Sequence, residues 1–166
     1  MAELTPTERL QPSLLDRLTD EEPAQSAESR NRRVLSIQRL RESVLRDVAW
    51  LLNTTNLAQA DLVEKHPHVA QSVVNYGLPD LAGLTASAID TAELEALVRQ
   101  AIWDFEPRIL RHSLKVRAHS AEEMSHNALV FEITGELWAQ PVPLELFLKT
   151  EIDLESGEIA VSEIAR

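Results

Sequence analysis

The stretch LEALVRQAIWDFEPRILRHSLKVR, residues 94–117, contains the point at which the predicted fold changes from helix to sheet. Before Pro107 the apolar residues recur every three or four positions, as on one face of an α-helix. From residue 110 to residue 117 they recur at every second position, as in a strand with one buried face. Proline has no amide hydrogen for a helical turn and disfavours helical geometry at the residue before it. We therefore predict a helix that ends near Glu106 and a strand that follows Pro107.

Two amphipathic helices are predicted up to this boundary. The first covers residues 34–52, with apolar residues at steps of three or four and arginines on the other side. Residues 53–56 end it, because Asn and Thr side chains compete for backbone hydrogen bonds. The second begins after Asp90, a predicted N-cap, with Glu93 placed to reach back to it. Its predicted buried face comprises Leu94, Leu97, Val98, Ala101, Ile102 and Phe105.

A shorter helix carrying Val69 and Val73 is predicted between these two, before a loop at residues 76–79. After the boundary, alternation predicts three further strands, which cover residues 129–137, 144–154 and 159–161. Helices that precede strands on short connections predict an α+β fold, with the N-terminal helices packed on one face of a C-terminal antiparallel meander.

Residues 1–29 are predicted to form a flexible N-terminal arm, and residues 30–166 a single α+β domain. Three prolines interrupt the arm, and the polar stretch at residues 20–26 has little to bury. Within the arm, one short helical turn places Leu14, Leu15 and Leu18 on one side. A helix this short is unstable alone. It would therefore fold either in a partner's groove or back on its own domain.

Composition excludes several classes of protein. The 166 residues include 27 acidic and 16 basic side chains, for a net charge of −11, which argues against general nucleic-acid binding. The absence of cysteine removes disulfides, thiolate catalysis and Cys-based zinc sites. Four glycines provide no glycine-rich phosphate loop. No apolar run is long enough to span a membrane and no signal peptide is recognisable, so we expect a cytoplasmic protein without direct membrane insertion.

Basic charge is concentrated in two places, residues 30–46 and residues 108–117, and acidic residues dominate elsewhere. Charge runs of this kind are typical of solvated faces, which here would pair with the acidic segments. The other interpretation is a docking surface for an acidic protein partner.

Residues for catalysis or metal binding form no convincing set. His66 and His68 are close in sequence, but the other three histidines are scattered, and a metal site needs three or four converging ligands. No serine lies in a Gly-x-Ser-x-Gly setting. Paired carboxylates, as glycoside hydrolysis requires, are expected by chance among 27 acids. We predict no catalytic residue, no metal and no cofactor.

The segment Glu106-Pro107-Arg108 is the motif that we single out. Proline fixes a corner between helix and strand and holds the two charged side chains at defined angles. One interpretation is an ion pair that closes this corner inside the domain. The other is a preset pair that engages another chain, since a guanidinium fork binds carboxylates or carbonyls with fixed geometry.

Several motifs along the chain resemble one known family. They are PSLLDRL at 12–18, ESR at 28–30, VLRD at 44–47, WLLNT at 50–54, VNYGLPD at 74–80, FEPRIL at 105–110, FEI at 131–133 and EL at 136–137. In this order they resemble the TssE family, the small baseplate subunits of type VI secretion systems, and the related baseplate wedge proteins of contractile-tailed phages. The Glu-Pro-Arg motif is the hallmark of that family.

The resemblance implies a non-enzymatic structural component of the secretion baseplate. Such proteins form a wedge with TssF, TssG and TssK around a central spike, and offer a strand-based docking element to the first ring of the TssB–TssC sheath. They act in the cytoplasm, recruited to the apparatus docked at the inner membrane. Because the phage relatives carry a lysozyme-like label, the alternative is a small peptidoglycan hydrolase.

Two groups of partner-binding residues follow from this resemblance and the patterns above. The first lies at the corner and the second in the leucine-rich turn. They are Glu106, Pro107, Arg108 and Arg111, and Leu14, Leu15 and Leu18.

Overall fold

The computed structural model describes residues 13–19, 37–57, 65–81, 90–119, 128–138 and 143–164. Within these residues three α-helices precede a four-stranded sheet, which confirms the predicted α+β fold. The helices are α1 (Leu14–Leu18), α2 (Ile37–Leu52) and α3 (Thr91–Phe105), and the strands are β1 (Lys115–His119), β2 (Ala128–Leu137), β3 (Leu144–Asp153) and β4 (Ile159–Glu163). Residues 34–36 of the first predicted helix and most of the predicted arm lie outside the described residues.

The sheet is an antiparallel meander in the order β1-β2-β3-β4, as the alternation predicted. The β3–β4 turn is closed by Asp153, whose Oδ1 accepts hydrogen bonds from the main-chain N–H groups of Glu155 and Ser156 at 2.8 and 3.3 Å. Gly157 follows with a φ of 75°, which favours glycine.

The core lies between the sheet and the helices α2 and α3. Asp90 caps α3 as predicted, accepting hydrogen bonds from the N–H groups of Ala92 and Glu93. Buried side chains of both helices meet the inward-facing residues of the strands in one cluster. Its fully enclosed members include Val44, Val48, Ile102, Phe131, Leu137 and Leu148.

The end of α2 is tied to the outer strand β4 by one side chain. Asn53 donates from Nδ2 to the carbonyl of Ile159 at 2.7 Å and accepts from the N–H of Ile159 at 2.9 Å. The same amide nitrogen donates to Ala49, one turn back in the helix, at 2.8 Å. Asn53 therefore caps the helix and pairs with the strand at the same time.

The strand predicted over residues 110–117 was wrong in its first half, because β1 begins only at Lys115. Residues 110–113 form a turn, in which the N–H of Ser113 donates to the carbonyl of Leu110 at 3.0 Å. The Ser113 hydroxyl accepts from the N–H of Glu136 at 2.8 Å. This contact with β2 stabilises a turn where the apolar alternation had indicated extended chain.

The predicted short helix carrying Val69 and Val73 was also wrong. The chain forms two 3₁₀ turns there, Pro67–Val69 and Val73–Asn75, and Val73 is exposed. The Ser72 hydroxyl donates to the carbonyl of Val69 at 2.9 Å and so ends the first turn.

The loop after these turns is held against the end of α2. The N–H of Leu78 donates to the carbonyl of Thr54, and the N–H of Asn56 donates to the carbonyl of Leu78, both at 2.8 Å. Gly77 precedes Leu78 with a φ of 116°, and a Cβ at this position would lie 2.0 Å from the Thr54 oxygen. The close approach of the two chains therefore requires glycine.

Gly77→Ala is expected to lower the free energy of unfolding by about 1–3 kcal/mol, the usual cost of a strained backbone. The added methyl group must also push apart the two chain segments that meet at Thr54. Chemical denaturation measures the loss. Gly135→Ala is the control, because its Cβ would lie 3.1 Å from the Cγ2 methyl of Ile109 and at ordinary contact distance, 3.7 Å, from Leu114 and Ser113. Equal losses in both variants would contradict this account of Gly77.

Candidate functional site

The corner between α3 and β1 is built by the Glu-Pro-Arg motif. Glu106 ends α3, with φ −122° and ψ 76°, while its N–H still donates to the carbonyl of Ile102 at 2.9 Å. The exposed Pro107 has no N–H to continue the helix. The chain then meets the end of β2, where the N–H of Trp138, the residue after the strand, donates to the carbonyl of Arg108 at 2.7 Å.

Glu106 and Arg108 form a two-pronged ion pair across the proline. Arg108 donates from Nε to Oε1 of Glu106 at 2.7 Å and from Nη2 to Oε2 at 2.5 Å. Its main-chain N–H adds a third bond to Oε1 at 3.1 Å. The Glu106 residue is only 4% exposed and the Arg108 side chain 19%, so the pair closes the corner from within the domain.

Helix α2 supplies two further partners for Arg108. Nη2 donates to Oδ2 of Asp47 at 2.6 Å, and Nη1 donates to Oγ of Ser43 at 2.8 Å. Residues four apart on a helix share one face, so Ser43 and Asp47 both face the corner. The guanidinium therefore joins α2 to the end of α3.

Helix α1 contacts the same two turns of α2, at Ser43 and Arg46. Ser13 and Asp16 cap α1 reciprocally, a capping box. Beyond this cap, Asp16 accepts from Oγ of Ser43 at 2.7 Å and from Nη1 of Arg46 at 2.7 Å. The short turn thus lies on its own domain in the structure, which is one of the two alternatives left open by the sequence.

The leucines of α1 do not make this contact. Leu14, Leu15 and Leu18 are 70%, 43% and 73% exposed. Hydrogen bonds and charge therefore anchor the segment, and its apolar side faces solvent.

Arg46 completes a continuous set of ion pairs. Its Nε donates to Oδ1 of Asp47 at 2.9 Å, and its guanidinium lies 5.2 Å from the centre of the Trp50 ring, a cation–π contact. We call the set the charged network, and it consists of Ser13, Asp16, Ser43, Arg46, Asp47, Glu106 and Arg108. It connects α1, α2 and the corner.

The network keeps Asp16 and Arg108 ionised. Burial by itself raises the pKa of Asp16, but hydrogen bonds from Arg46, Ser13 and Ser43 outweigh it and hold that pKa well below its usual range. Burial likewise acts to lower the pKa of Arg108, and Glu106 and Asp47 outweigh it, so the pKa lies above its usual range. Both groups therefore stay charged at neutral pH.

Tyr76 packs beside the network. Its ring meets that of Phe105 edge to face, with centroids 5.3 Å apart, and its hydroxyl donates to the carbonyl of Asp47 at 3.4 Å. Burial and the charges of Asp47 and Glu106 raise the pKa of Tyr76. The aromatic pair thus covers one side of the corner.

The chemistry available at this site is that of structural ion pairing. A general acid must hold a proton to give, whereas both carboxylate oxygens of Glu106 accept hydrogen bonds from Arg108. Within the described ranges, no group of three or more His, Cys, Asp or Glu residues could hold a metal ion. In the same part of the chain, no helix is long and apolar enough to cross a membrane.

The structure brings together some of the predicted site residues and separates others. Glu106 and Arg108 are paired, and Arg111 lies on the exposed side of the corner, with Nη2 donating to the carbonyl of Trp103 at 2.9 Å. The leucines of α1 lie beyond Asp16, at the opposite end of the network. Sequence reasoning missed Ser43, Arg46 and Asp47. The signal available for Ser43 was its place between Leu40 and Val44, on the apolar face of α2.

The described residues form an α+β domain whose central charged groups position its own elements. A family model for baseplate wedge protein gp25 matches residues 38–142, and the chain belongs to that family. The match covers α2 from its second residue, α3, the corner, β1 and β2. It confirms the resemblance to baseplate proteins drawn from the sequence motifs. Searches of curated proteins and of solved structures found no match. Family membership supports a structural role in a phage-baseplate-like assembly, in contact with other baseplate components.

Proposed function

We propose that the protein is a non-enzymatic component of a type VI secretion baseplate that joins the wedge complex to the contractile sheath. The observation that carries the proposal is the family match over residues 38–142, with the Glu-Pro-Arg motif inside it. The motifs that resemble TssE make type VI secretion the favoured setting. The partners are then TssF, TssG and TssK in the wedge and TssB and TssC in the sheath, and the site of action is the cytoplasmic face of the inner membrane.

Strand addition at β1 is the proposed mode of sheath docking. This strand lies at one edge of the sheet, after the turn that follows the corner, and exposes Lys115, Arg117 and His119 on one face. At Ala118 the main-chain N–H already donates to Oε1 of Glu95 in α3 at 2.8 Å, so an added strand must displace that carboxylate. An added strand gains main-chain hydrogen bonds, and alternate side chains set its register. Basic residues at every second position select a partner strand that carries acidic ones.

At the corner we propose a division of roles among the predicted partner-binding residues. Glu106 and Arg108 fix the angle at which the chain leaves α3, since their polar atoms are engaged inside the domain. The exposed Pro107 and Arg111 provide the contact surface. Leu14, Leu15 and Leu18 form a second surface, at the other end of the network.

The function is tested by capture of purified TssF, TssG, TssK and TssB–TssC on the immobilised chain. We expect capture of at least one wedge subunit and of the sheath pair. Arg111→Glu should reduce sheath capture, whereas the control Lys149→Glu, an exposed basic residue in β3, should not. Capture of none of these subunits would refute the proposal. Clearing of peptidoglycan in a zymogram would instead favour the hydrolase.

Replacement of Leu14 and Leu18 by aspartate is expected to abolish capture of a wedge subunit and leave the fold unchanged. Both side chains are largely exposed, and surface substitutions usually change the free energy of unfolding by less than about 0.5 kcal/mol. Capture and thermal unfolding are measured on the same preparation. A large fall in melting temperature would show that the leucines support the fold, and unchanged capture would exclude them as a docking surface.

A further inference from the structure

The hydroxyl group of Ser43 lies between α1 and the corner. Ser43 is only 5% exposed. Its Oγ accepts from Nη1 of Arg108 at 2.8 Å and donates to Oδ2 of Asp16 at 2.7 Å. Arginine can only donate and an ionised carboxylate can only accept. The single hydroxyl proton must therefore point to Asp16, and the direction of the chain Arg108–Ser43–Asp16 is fixed.

We propose that Ser43 is a positioning residue that couples the docking of the N-terminal segment, residues 13–19, to the orientation of Arg108 at the corner. Displacement of the segment removes the acceptor of the Ser43 proton and loosens Arg108. By reciprocity, a disturbed Arg108 weakens the docking of the segment. The contacts carry this coupling, and its biological meaning rests on the proposed function, because it links the two surfaces assigned to partners.

A second route connects the same groups, and it is the weaker one. It runs from Asp16 through Arg46 and Asp47 to Arg108. The Arg46 and Asp47 side chains are 34% and 21% exposed. Water and salt screen exposed ion pairs, whereas a hydrogen bond through a buried hydroxyl acts in a lower dielectric. Most of the coupling should therefore pass through Ser43.

The test is a double-mutant cycle on the full chain with ¹⁵N-labelled arginine. Hydrogen exchange of the Arg108 Nε–H, which is bonded to Glu106, reports how firmly the guanidinium is held. Asp16→Ala should speed this exchange by about 5- to 150-fold, the usual range for coupled sites. In a Ser43→Ala background, Asp16→Ala should change the exchange rate of the Arg108 Nε–H by less than about twofold. That factor corresponds to the lower end of measured interaction energies.

Controls separate the coupling from general loosening. The Nε–H of the exposed Arg111 should exchange at the same rate in all four proteins. Arg46→Met, which removes the outer route but keeps both partners of the Ser43–Asp16 hydrogen bond, should speed Arg108 exchange less than Asp16→Ala does. The cycle is repeated with Ser43→Cys, whose thiol has a similar size and is a weak donor, so that the result does not depend on the folding of one variant.

An equal effect of Asp16→Ala with and without Ser43, or no effect in the wild type, would overturn the proposal. Amide exchange of residues 13–19, followed by mass spectrometry, gives the reciprocal measurement and should quicken in Ser43→Ala. These measurements need no partner protein. Failure to capture baseplate or sheath subunits would therefore refute the proposed function and leave the coupling standing.

Discussion

Replacement of Arg108 by alanine is expected to lower the free energy of unfolding by about 3–5 kcal/mol, the cost of breaking a buried ion pair by removing one partner. Glu106, almost fully enclosed, would lose its two hydrogen bonds from the guanidinium and retain only the bond from the main-chain N–H of residue 108. Asp47 and Ser43 would lose the same donor group. Chemical denaturation of the purified chain measures the effect.

The matched control is Arg111→Ala, which removes an exposed arginine three residues away and should cost less than about 0.5 kcal/mol. Arg108→Lys should recover only part of the loss, because an ammonium group lacks the planar fork that meets both oxygens of Glu106. A loss for Arg108→Ala as small as that of the control would mean that the ion pair does not hold the corner.

Phe131→Ala is the second variant expected to have a large effect, about 3–5 kcal/mol. The residue is fully buried at the centre of β2, opposite Ala118 of β1 and Thr150 of β3. Its removal leaves a cavity in the core cluster that the sheet shares with α2 and α3, and the strands on either side limit how far the core can collapse. Urea denaturation, with the slope checked for two-state behaviour, gives the value.

Phe147→Ala provides a control of the same chemistry. Phe147 lies in β3 between Leu146 and Leu148, on the opposite face of the sheet, and is partly exposed. The free energy lost should be clearly smaller, because a partly exposed ring buries less apolar surface on folding than Phe131 does. Equal losses for the two phenylalanines would contradict the assignment of the inward face.

Much of the fold could be predicted because its signals are local. Pro107 ends α3 through its own covalent structure, and alternation fixed which face of β2 and β3 points inward. The start of β1 could not be predicted in this way. Leu110 and His112 continue the alternation in sequence, but the turn there depends on a bond between Ser113 and Glu136, 23 positions away. A contact in the folded chain overrode a local pattern.

In the candidate site, too, the local features could be predicted and the long-range contacts could not. The proline between Glu106 and Arg108 indicated that their side chains are held at defined angles, but left open whether they meet each other or another chain. Nothing local connects Arg108 with Asp47 and Ser43, which lie 61 and 65 positions earlier. The place of Ser43 on the apolar face of α2 was a signal for a buried hydroxyl in need of partners, but sequence reasoning did not use it. Periodicity alone could not identify those partners.

For the N-terminal turn, the sequence indicated a different kind of contact from the one that the structure shows. Its leucines indicated an apolar contact, whereas the polar side chain of Asp16 anchors it in the structure. Ser13 and Asp16 have the spacing of a capping box in the sequence. That the same carboxylate also reaches α2 depends on packing, which the sequence does not reveal.

The double contact of Asn53 with Ile159 has a consequence for the behaviour of the protein among other chains. An outer strand offers unpaired main-chain groups to any extended segment it meets, which is a common origin of aggregation. At Ile159 the amide of Asn53 already occupies both the donor and the acceptor. A foreign segment would have to break two hydrogen bonds before it could pair there. One side chain thus protects the edge of the sheet at this position in the folded protein.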